Sequence, residues 1–457
     1  MNPMNRDPAP GDEARYRVAG LDGVRAIAVL LVIVFHLSPG AMVGGYIGVD
    51  LFFVVSGFII TSLLLREHAA GGRVALGAFW KRRARRLLPA LGVLLLACCT
   101  AAVALGGDLL VGIRTQVLGA ITFSSNWLML ANASDYFDQT APELFRNLWS
   151  LAVEEQFYLM WPLLLVLVLI RLPRGARIAA AAALGAVSIA LMALLWSPDA
   201  ATRVYYGTDT HFFGLAIGAA LAFTADRWPS TALEWPRAAR VALGIAGPLA
   251  LAGVLAVGAV MTEDSAVPFL GGLAVVSVLG AVVIASLLVP GSVLASVLDW
   301  RPLRWIGERS YGLYLWHWPV FLLVVAALPG WERTGLSGWG LGGIALAVTI
   351  GAAALSYEFV EQPIRRNGFR ATWAAFASWF RGARHALIAG VWVVVLVLAG
   401  GVGTVAAVAA DPGRSETELL VQAGQAAMDE AQAHQEDEPD PAPADGPAPE
   451  ADDDPNA

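Results

Sequence analysis

Arg25 and His36 stand eleven residues apart, and the stretch that joins them, AIAVLLVIVFH, is otherwise apolar. On an α-helix eleven steps return to within about 20° of the same face after a rise of about 16 Å. A cation near one end of such a stripe and an imidazole near the other suit one wall of a passage through a membrane, and Asp22 adds a carboxylate three residues before Arg25. The plainer alternative is a snorkelling Arg and an interfacial His with unrelated roles. Three further apolar segments carry polar groups. GGYIGVDLFFVVSGF brings Asp50, NLWSLAVEEQFYLMWP brings Trp149, Glu154, Glu155 and Tyr158, and YYGTDTHFFGLAIG brings Asp209 and His211. Polar groups inside spans must face protein or water. The expectation is therefore that His36, Asp50, Glu154 or Glu155, and Asp209 converge from four helices at one level. Neighbouring residues on a helix point about 100° apart, so only one of the two glutamates can share a point with Trp149 or Tyr158. An imidazole with a carboxylate suits general-base work on a hydroxyl, with Asp50 or Glu154 orienting the His36 ring. A proton relay or a metal site would use similar groups, but these arrive singly and without compact ligand spacing, so no metal is expected.

A different chemistry gathers elsewhere. FWKRRARRLLP sets Lys81, Arg82, Arg83, Arg85 and Arg86 just before an apolar run. Such a cluster serves topology and contact with anionic membrane lipid, and arginine forks also pair well with phosphates. SYGLYLWHWP places Tyr314 and His317 on one helix face about two turns into a span on the same side, and Pro319 there frees a carbonyl for polar contact. Aromatic anchoring and helix packing is the alternative for that segment.

The elements that must position these groups are long and apolar. Of 457 residues, 57% are hydrophobic and 15% charged, with mean hydropathy +0.62. Soluble domains carry about 25% charge, so the fold expected is an all-α polytopic membrane protein. Cys98 and Cys99 are adjacent in an apolar run and offer neither a disulfide framework nor a ligand set. Segments long enough to span fall at 21–38, 47–65, 87–105, 149–170, 178–196, 208–225, 241–260, 268–289, 310–328, 339–357 and 386–410. With those boundaries 24 Lys and Arg lie on one side and five on the other. The positive-inside rule then puts the amino terminus in the cytoplasm and the carboxyl terminus outside. Residues 411–457 hold 14 acidic residues and one Arg, which leaves +6 on the preceding 410 although the whole chain is −7. This Pro/Ala-rich tail reads as disordered, with SETELLVQAGQAAMDEAQ able to form one short amphipathic helix.

Together these strings resemble the acyltransferase-3 family of bacterial membrane O-acyltransferases. The resemblance is carried by LDGVRAIAVLLVIVFH, GGYIGVDLFFVVSGFII, KRRARRLLPA, WSLAVEEQFYLMWP, YYGTDTHFFGLAIGAALA, SYGLYLWHWPV and YEFVEQPIRR, in that order. It implies about ten family-core helices over 19–366, preceded by a cytoplasmic segment 1–18 and followed by an additional helix 386–410 and the tail 411–457. It further implies transfer of an acetyl or other small acyl group to a hydroxyl of an envelope or exported glycan, in the bacterial cytoplasmic (inner) membrane. The donor implied is acetyl-CoA or another acyl-CoA, a substrate rather than a permanently bound cofactor. By the same resemblance Arg25 and His36 match the Arg-x10-His feature, and either Arg82 with Arg85 or Arg83 with Arg86 matches Arg-x-x-Arg. His36, Asp50, Glu154 and Glu155 are then the expected catalytic groups. Arg25, Arg82, Arg83, Arg85, Arg86, Tyr314 and His317 would hold the donor, and Trp149, Tyr158, Asp209 and His211 the acceptor. Relatives with YYGTDT usually continue with Arg where this chain has His211, which implies a different substrate or acyl preference. Some relatives append an extracytoplasmic SGNH-type domain. The tail lacks the Ser, Asp and His arrangement for one, so a separate extracytoplasmic transferase is a conceivable partner besides acyl-CoA, a carbohydrate or lipid-linked glycan, and membrane lipid. No nucleic-acid partner is expected. A transporter or flippase is the competing reading.

Overall fold

The computed structural model describes residues 17–38, 40–132, 143–228, 231, 234–380, 384–413, 420 and 423–428. The segment expected at 1–18 is outside these but for its last two residues, and so is most of the tail; of 411–457 only 411–413, 420 and 423–428 are described, with 420 and 423–428 helical. Chain contacts divide the protein after Asp411 into a helical body and the tail.

Among the described residues of the body there is no strand. Its helices are α1 (Leu21–Leu37), α2 (Gly48–Gly71), α3 (Leu76–Leu105), α4 (Ile113–Thr122), α5 (Ser125–Ala131) and α6 (Leu148–Leu167). There follow α7 (Arg174–Leu195), α8 (Ala201–Tyr206), α9 (Phe213–Ala225), α10 (Arg237–Val260), α11 (Leu273–Leu287) and α12 (Val293–Leu298). The last are α13 (Arg301–Glu308), α14 (Ser310–Ala327), α15 (Gly335–Ser356), α16 (Gln362–Trp379) and α17 (Arg384–Ala409). A helix lies at each of the eleven expected spans. Nine described helices are long and apolar enough to cross a membrane by themselves, and this is a multi-pass membrane protein. The two that fall short are α1, with 17 residues, and α9, with 13.

The sixth span, expected at 208–225 with polar residues interrupting its start, is helical only from Phe213. The preceding backbone, Gly207 to Phe212, is irregular, which membrane proteins tolerate where protein surrounds it. Here its polar groups find partners: His211 N–H donates to Gly207 O, Phe212 N–H to Ser188 Oγ, and Thr210 Oγ1 to Val204 O. Asn126 donates to Tyr206 O, and Thr208 donates to Gln156, whose amide reaches back to Asn126.

Close helix crossings depend on small residues. A Cβ on Gly57 would stand 2.0 Å from Leu215 O, and one on Gly218 would stand 2.1 Å from Val54 O, so α2 and α9 touch backbone to backbone. At the end of α1 that carries Arg25, here termed the basic end, Gly307 of α13 meets Asp22 with no room for a side chain. The basic run also differs from expectation. Helix α3 starts at Leu76, so Lys81 to Arg86 are helical and their side chains fan out around the axis instead of lying together in a loop.

Candidate functional site

Helical fanning decides where each arginine goes. Arg83 and Arg86 enter a cavity between α1, α2, α3, α6 and α14, whose empty space, its open mouth included, is about 690 Å³. Arg82 turns away to Glu67, at 3.2 Å, and Arg85 lies against Gly368 at the kink of α16. Of the two registers left open for the Arg-x-x-Arg pair, Arg83 with Arg86 is the one that lines a cavity. Arg25 lines it too, with Asp22 beside it at 3.5 Å. The Arg83 guanidinium rests near the Phe79 and Tyr158 rings, at 5.7 and 5.9 Å from their centroids.

Glu154 belongs to this cavity and not to the imidazole of α1. Its Oε1 accepts from Ser56 Oγ at 2.7 Å, and Tyr158 donates to Ser56 at 3.0 Å and to Glu154 Oε2 at 3.3 Å. Glu155 is half-buried on the adjoining face, with Glu154, Arg83 and Arg86 as its charged neighbours. Farther in, Ser150 and Tyr314 line the cavity and share a hydrogen bond of 2.6 Å. Asn147 fixes this wall. Its carbonyl accepts from the Tyr314 hydroxyl at 3.0 Å, and its amide donates to Tyr314 O and Leu315 O. The Leu315 carbonyl lies four residues before Pro319, which has no N–H to occupy it.

His36 sits near the far end of α1, half-buried, and does not meet the carboxylates expected for it. Its Nδ1 lies 3.0 Å from Val32 O and 3.3 Å from Nε2 of His317. The rings of Phe35 and Trp318 pack on it, each 4.9 Å away between centroids. Arg146 in turn covers Trp318, its guanidinium 4.3 Å from the ring centroid. The sequence placed Tyr314 and His317 with the donor, apart from His36. In the structure Tyr314 borders the cavity, and its ring also packs 5.3 Å from that of His317. Crossing of α1 by α14 brings two imidazoles together that lie 281 residues apart in the chain.

Asp50 is committed elsewhere. Its Oδ1 is 3.1 Å from His211 Nε2, both residues wholly buried, and His211 Nδ1 is 2.7 Å from Tyr205 O. Trp149 stacks on His211 at 5.6 Å, with Phe53, Tyr205 and Phe213 around it. The dyad thus fills the core beside the α2–α9 crossing, and neither Trp149 nor His211 borders the cavity. Asp209, by contrast, is exposed and bonds both its oxygens to Arg203, at 2.8 and 3.0 Å. That pairing holds its carboxyl below the usual carboxylate range despite some desolvation. The expected convergence of three carboxylates on His36 from neighbouring helices therefore does not form. The imidazoles of His36 and His317 converge instead, because residues equally deep in two helices can still face different neighbours.

Several contributors carry no sequence signal of their own: Ser56, Asn147, Ser150, Trp318 and Tyr311, which lines the cavity and donates its hydroxyl to Leu87 O at 3.1 Å. Among the described residues no cluster of His, Cys, Asp and Glu could hold a metal ion.

Over residues 18–358 the chain matches the family model described as an acyltransferase domain. It is 39% identical over 362 residues to peptidoglycan O-acetyltransferase OatA of Listeria monocytogenes, a match covering 78% of this chain and 57% of that protein. With YrhL of Bacillus subtilis it shares 41% identity over 359 residues, or 77% of this chain and 56% of the relative. The chain thus spans a little over half the length of these relatives. No solved structure matches it.

Proposed function

The chain belongs to the acyltransferase-3 family, and on that premise we propose that it transfers an acetyl or other small acyl group from acyl-CoA to a hydroxyl of a cell-envelope glycan. The observation that carries this reading is that Tyr314 borders both an arginine-lined cavity and the His36–His317 pair. Arg25, Arg83 and Arg86 suit the phosphates of a CoA donor, and Glu154 with Tyr158 and Ser56 keeps that basic wall charge-compensated and ordered. The excess of Lys and Arg at the basic end favours a cytoplasmic amino terminus and a donor arriving from that side. The far end, with His36, then faces the envelope side of the inner membrane.

In this reading the acceptor hydroxyl gives its proton to His36 Nε2 as its oxygen bonds to the acyl carbonyl carbon. The carbon–sulfur bond breaks, and the proton passes to the leaving thiolate of CoA. A transient acyl-imidazole would use the same nitrogen. Peptidoglycan, the acceptor in the name of OatA, is the acceptor favoured here, and a separate extracytoplasmic transferase could take the acyl group onward.

The test is transfer by the purified full chain in lipid nanodiscs, from acetyl-CoA to peptidoglycan fragments, read by mass spectrometry as an alkali-labile acetyl ester. His36→Ala is expected to lower the rate about 10²–10⁴-fold at unchanged membrane abundance. Normal product from that variant, or substrate exchange without acetyl-CoA consumption, would overturn the reading.

A further inference from the structure

His36 and His317 have four nitrogens between them, and the backbone fixes what each can do. A carbonyl oxygen only accepts hydrogen bonds. His317 Nδ1 lies 2.7 Å from Tyr314 O, so that nitrogen carries the proton and donates it. A neutral imidazole has one N–H, which leaves His317 Nε2 as a bare acceptor. This bare nitrogen stands 3.3 Å from His36 Nδ1, which also faces Val32 O at 3.0 Å. Were His36 Nδ1 unprotonated, its lone pair would point at two other lone pairs. With the proton on Nδ1, one N–H is shared between two acceptors and every contact is favourable.

Resting on the transfer reading above, we propose that His317 is a positioning residue, whose Nε2 accepts from His36 Nδ1–H and so keeps His36 Nε2 as the nitrogen that takes the acceptor's proton. The assignment differs from holding the donor, the role that the family resemblance implies. His317 is wholly buried while His36 is half-buried, so the reacting ring is the outer one of the pair. When His36 Nε2 takes the hydroxyl proton, the ring becomes cationic and its Nδ1–H donates more strongly. Val32 O and His317 Nε2 then share the added charge without any group having to move. Orientation is fixed as well. The Tyr314 carbonyl receiving the His317 proton is itself held by the Asn147 amide at 2.8 Å, and the Phe35 and Trp318 rings limit rotation of His36.

Two measurements on the full chain in nanodiscs test this. In ¹⁵N-histidine-labelled wild type, with His36 assigned by the signal lost in His36→Gln, nitrogen chemical shifts and two-bond couplings report the tautomer. Protons on Nδ1 of both His36 and His317 are expected. A proton on Nε2 of either neutral ring, in protein that still transfers acyl groups, overturns this inference alone, whereas absence of transfer by the wild type overturns the reading beneath it. In steady-state kinetics, His317→Phe keeps the ring volume and removes the acceptor. It should lower kcat about tenfold with the acetyl-CoA KM within about twofold of wild type. His317→Gln, whose Oε1 can accept, should restore most of the loss. An unchanged kcat, or a raised donor KM at constant kcat, overturns the assignment. Should His317→Phe fail to fold, the tautomer measurement on the wild type still decides.

Discussion

Replacing Asp50 is a sharp test of how buried polarity is held in this bundle. His211 Nδ1 donates to Tyr205 O at 2.7 Å, so one proton remains to be shared across the 3.1 Å between His211 Nε2 and Asp50 Oδ1. Wherever that proton rests, the pair is neutral overall. Asp50 Oδ2 is buried and accepts no hydrogen bond among the described residues, an environment that suits a shared proton better than a full negative charge. Asp50→Asn should therefore be mild, because the amide N–H donates to bare Nε2, at a cost below about 1 kcal/mol. Asp50→Ala strands Nε2 in the core for about 1–3 kcal/mol and leaves a void worth about 1 kcal/mol more. A loss of about 2–4 kcal/mol is expected for Ala. The assay is reversible unfolding in detergent micelles followed by tryptophan fluorescence, for which Trp149, stacked on His211, is a local reporter. A double-mutant cycle with His211→Phe should return a coupling of about 1–3 kcal/mol. Equal losses for Asn and Ala, each about 3–5 kcal/mol, would mean that a full charge is buried there and would refute the shared-proton reasoning. No loss for Ala would refute the structural importance of the pair.

Charge reversal separates the arginines: Arg83→Glu, in the cavity, should raise the acetyl-CoA KM at least about tenfold, whereas Arg82→Glu, paired outside with Glu67, should change it less than about threefold. Equal effects would reject the cavity as the donor site. Gly307→Ala would put its Cβ 1.8 Å from Asp22 O and should sharply cut folded yield in detergent by size-exclusion chromatography, while Gly343→Ala, with open space around it, should stay within about 0.5 kcal/mol of wild type. Glu263, in the connection after α10, is pushed up to about 7 from an ordinary 4.5 by burial and then by Asp264, with Arg146 opposing. Because the folded state binds this proton more tightly than the unfolded chain, the group's contribution to stability is full below about pH 4.5, declines as pH rises through about 7, and is level above. Glu263→Gln should remove that decline in a thermal-unfolding series across pH 4.5–8, and an identical wild-type slope would contradict the placement of Glu263.

Much of this protein was settled along the chain. Runs of apolar residues long enough to span, broken by arginine-rich connections, determine that helices form, about where they lie and which ends are basic, because hydrophobic burial and helical hydrogen bonding act between near neighbours. Arg25 and His36 stood out for the same reason, since their face relation within α1 depends only on helical period. Even so, short α9 with its irregular approach was overextended in sequence, because partners such as Ser188 and Asn126, which satisfy that backbone, come from other helices. Tertiary structure alone decided the pairings. Asp50 and His211 are 161 residues apart and His36 and His317 are 281 apart. Which imidazole meets which acceptor is fixed by where α1 crosses α14 and where α2 touches α9. Those crossings are set by glycine-permitted backbone contact and side-chain packing over the whole bundle, and no local pattern encodes them. The choice of Arg83 and Arg86 over Arg82 and Arg85 has the same origin: the four residues have nearly identical local chemistry, and only the rotation of α3 against its neighbours turns two of them inward.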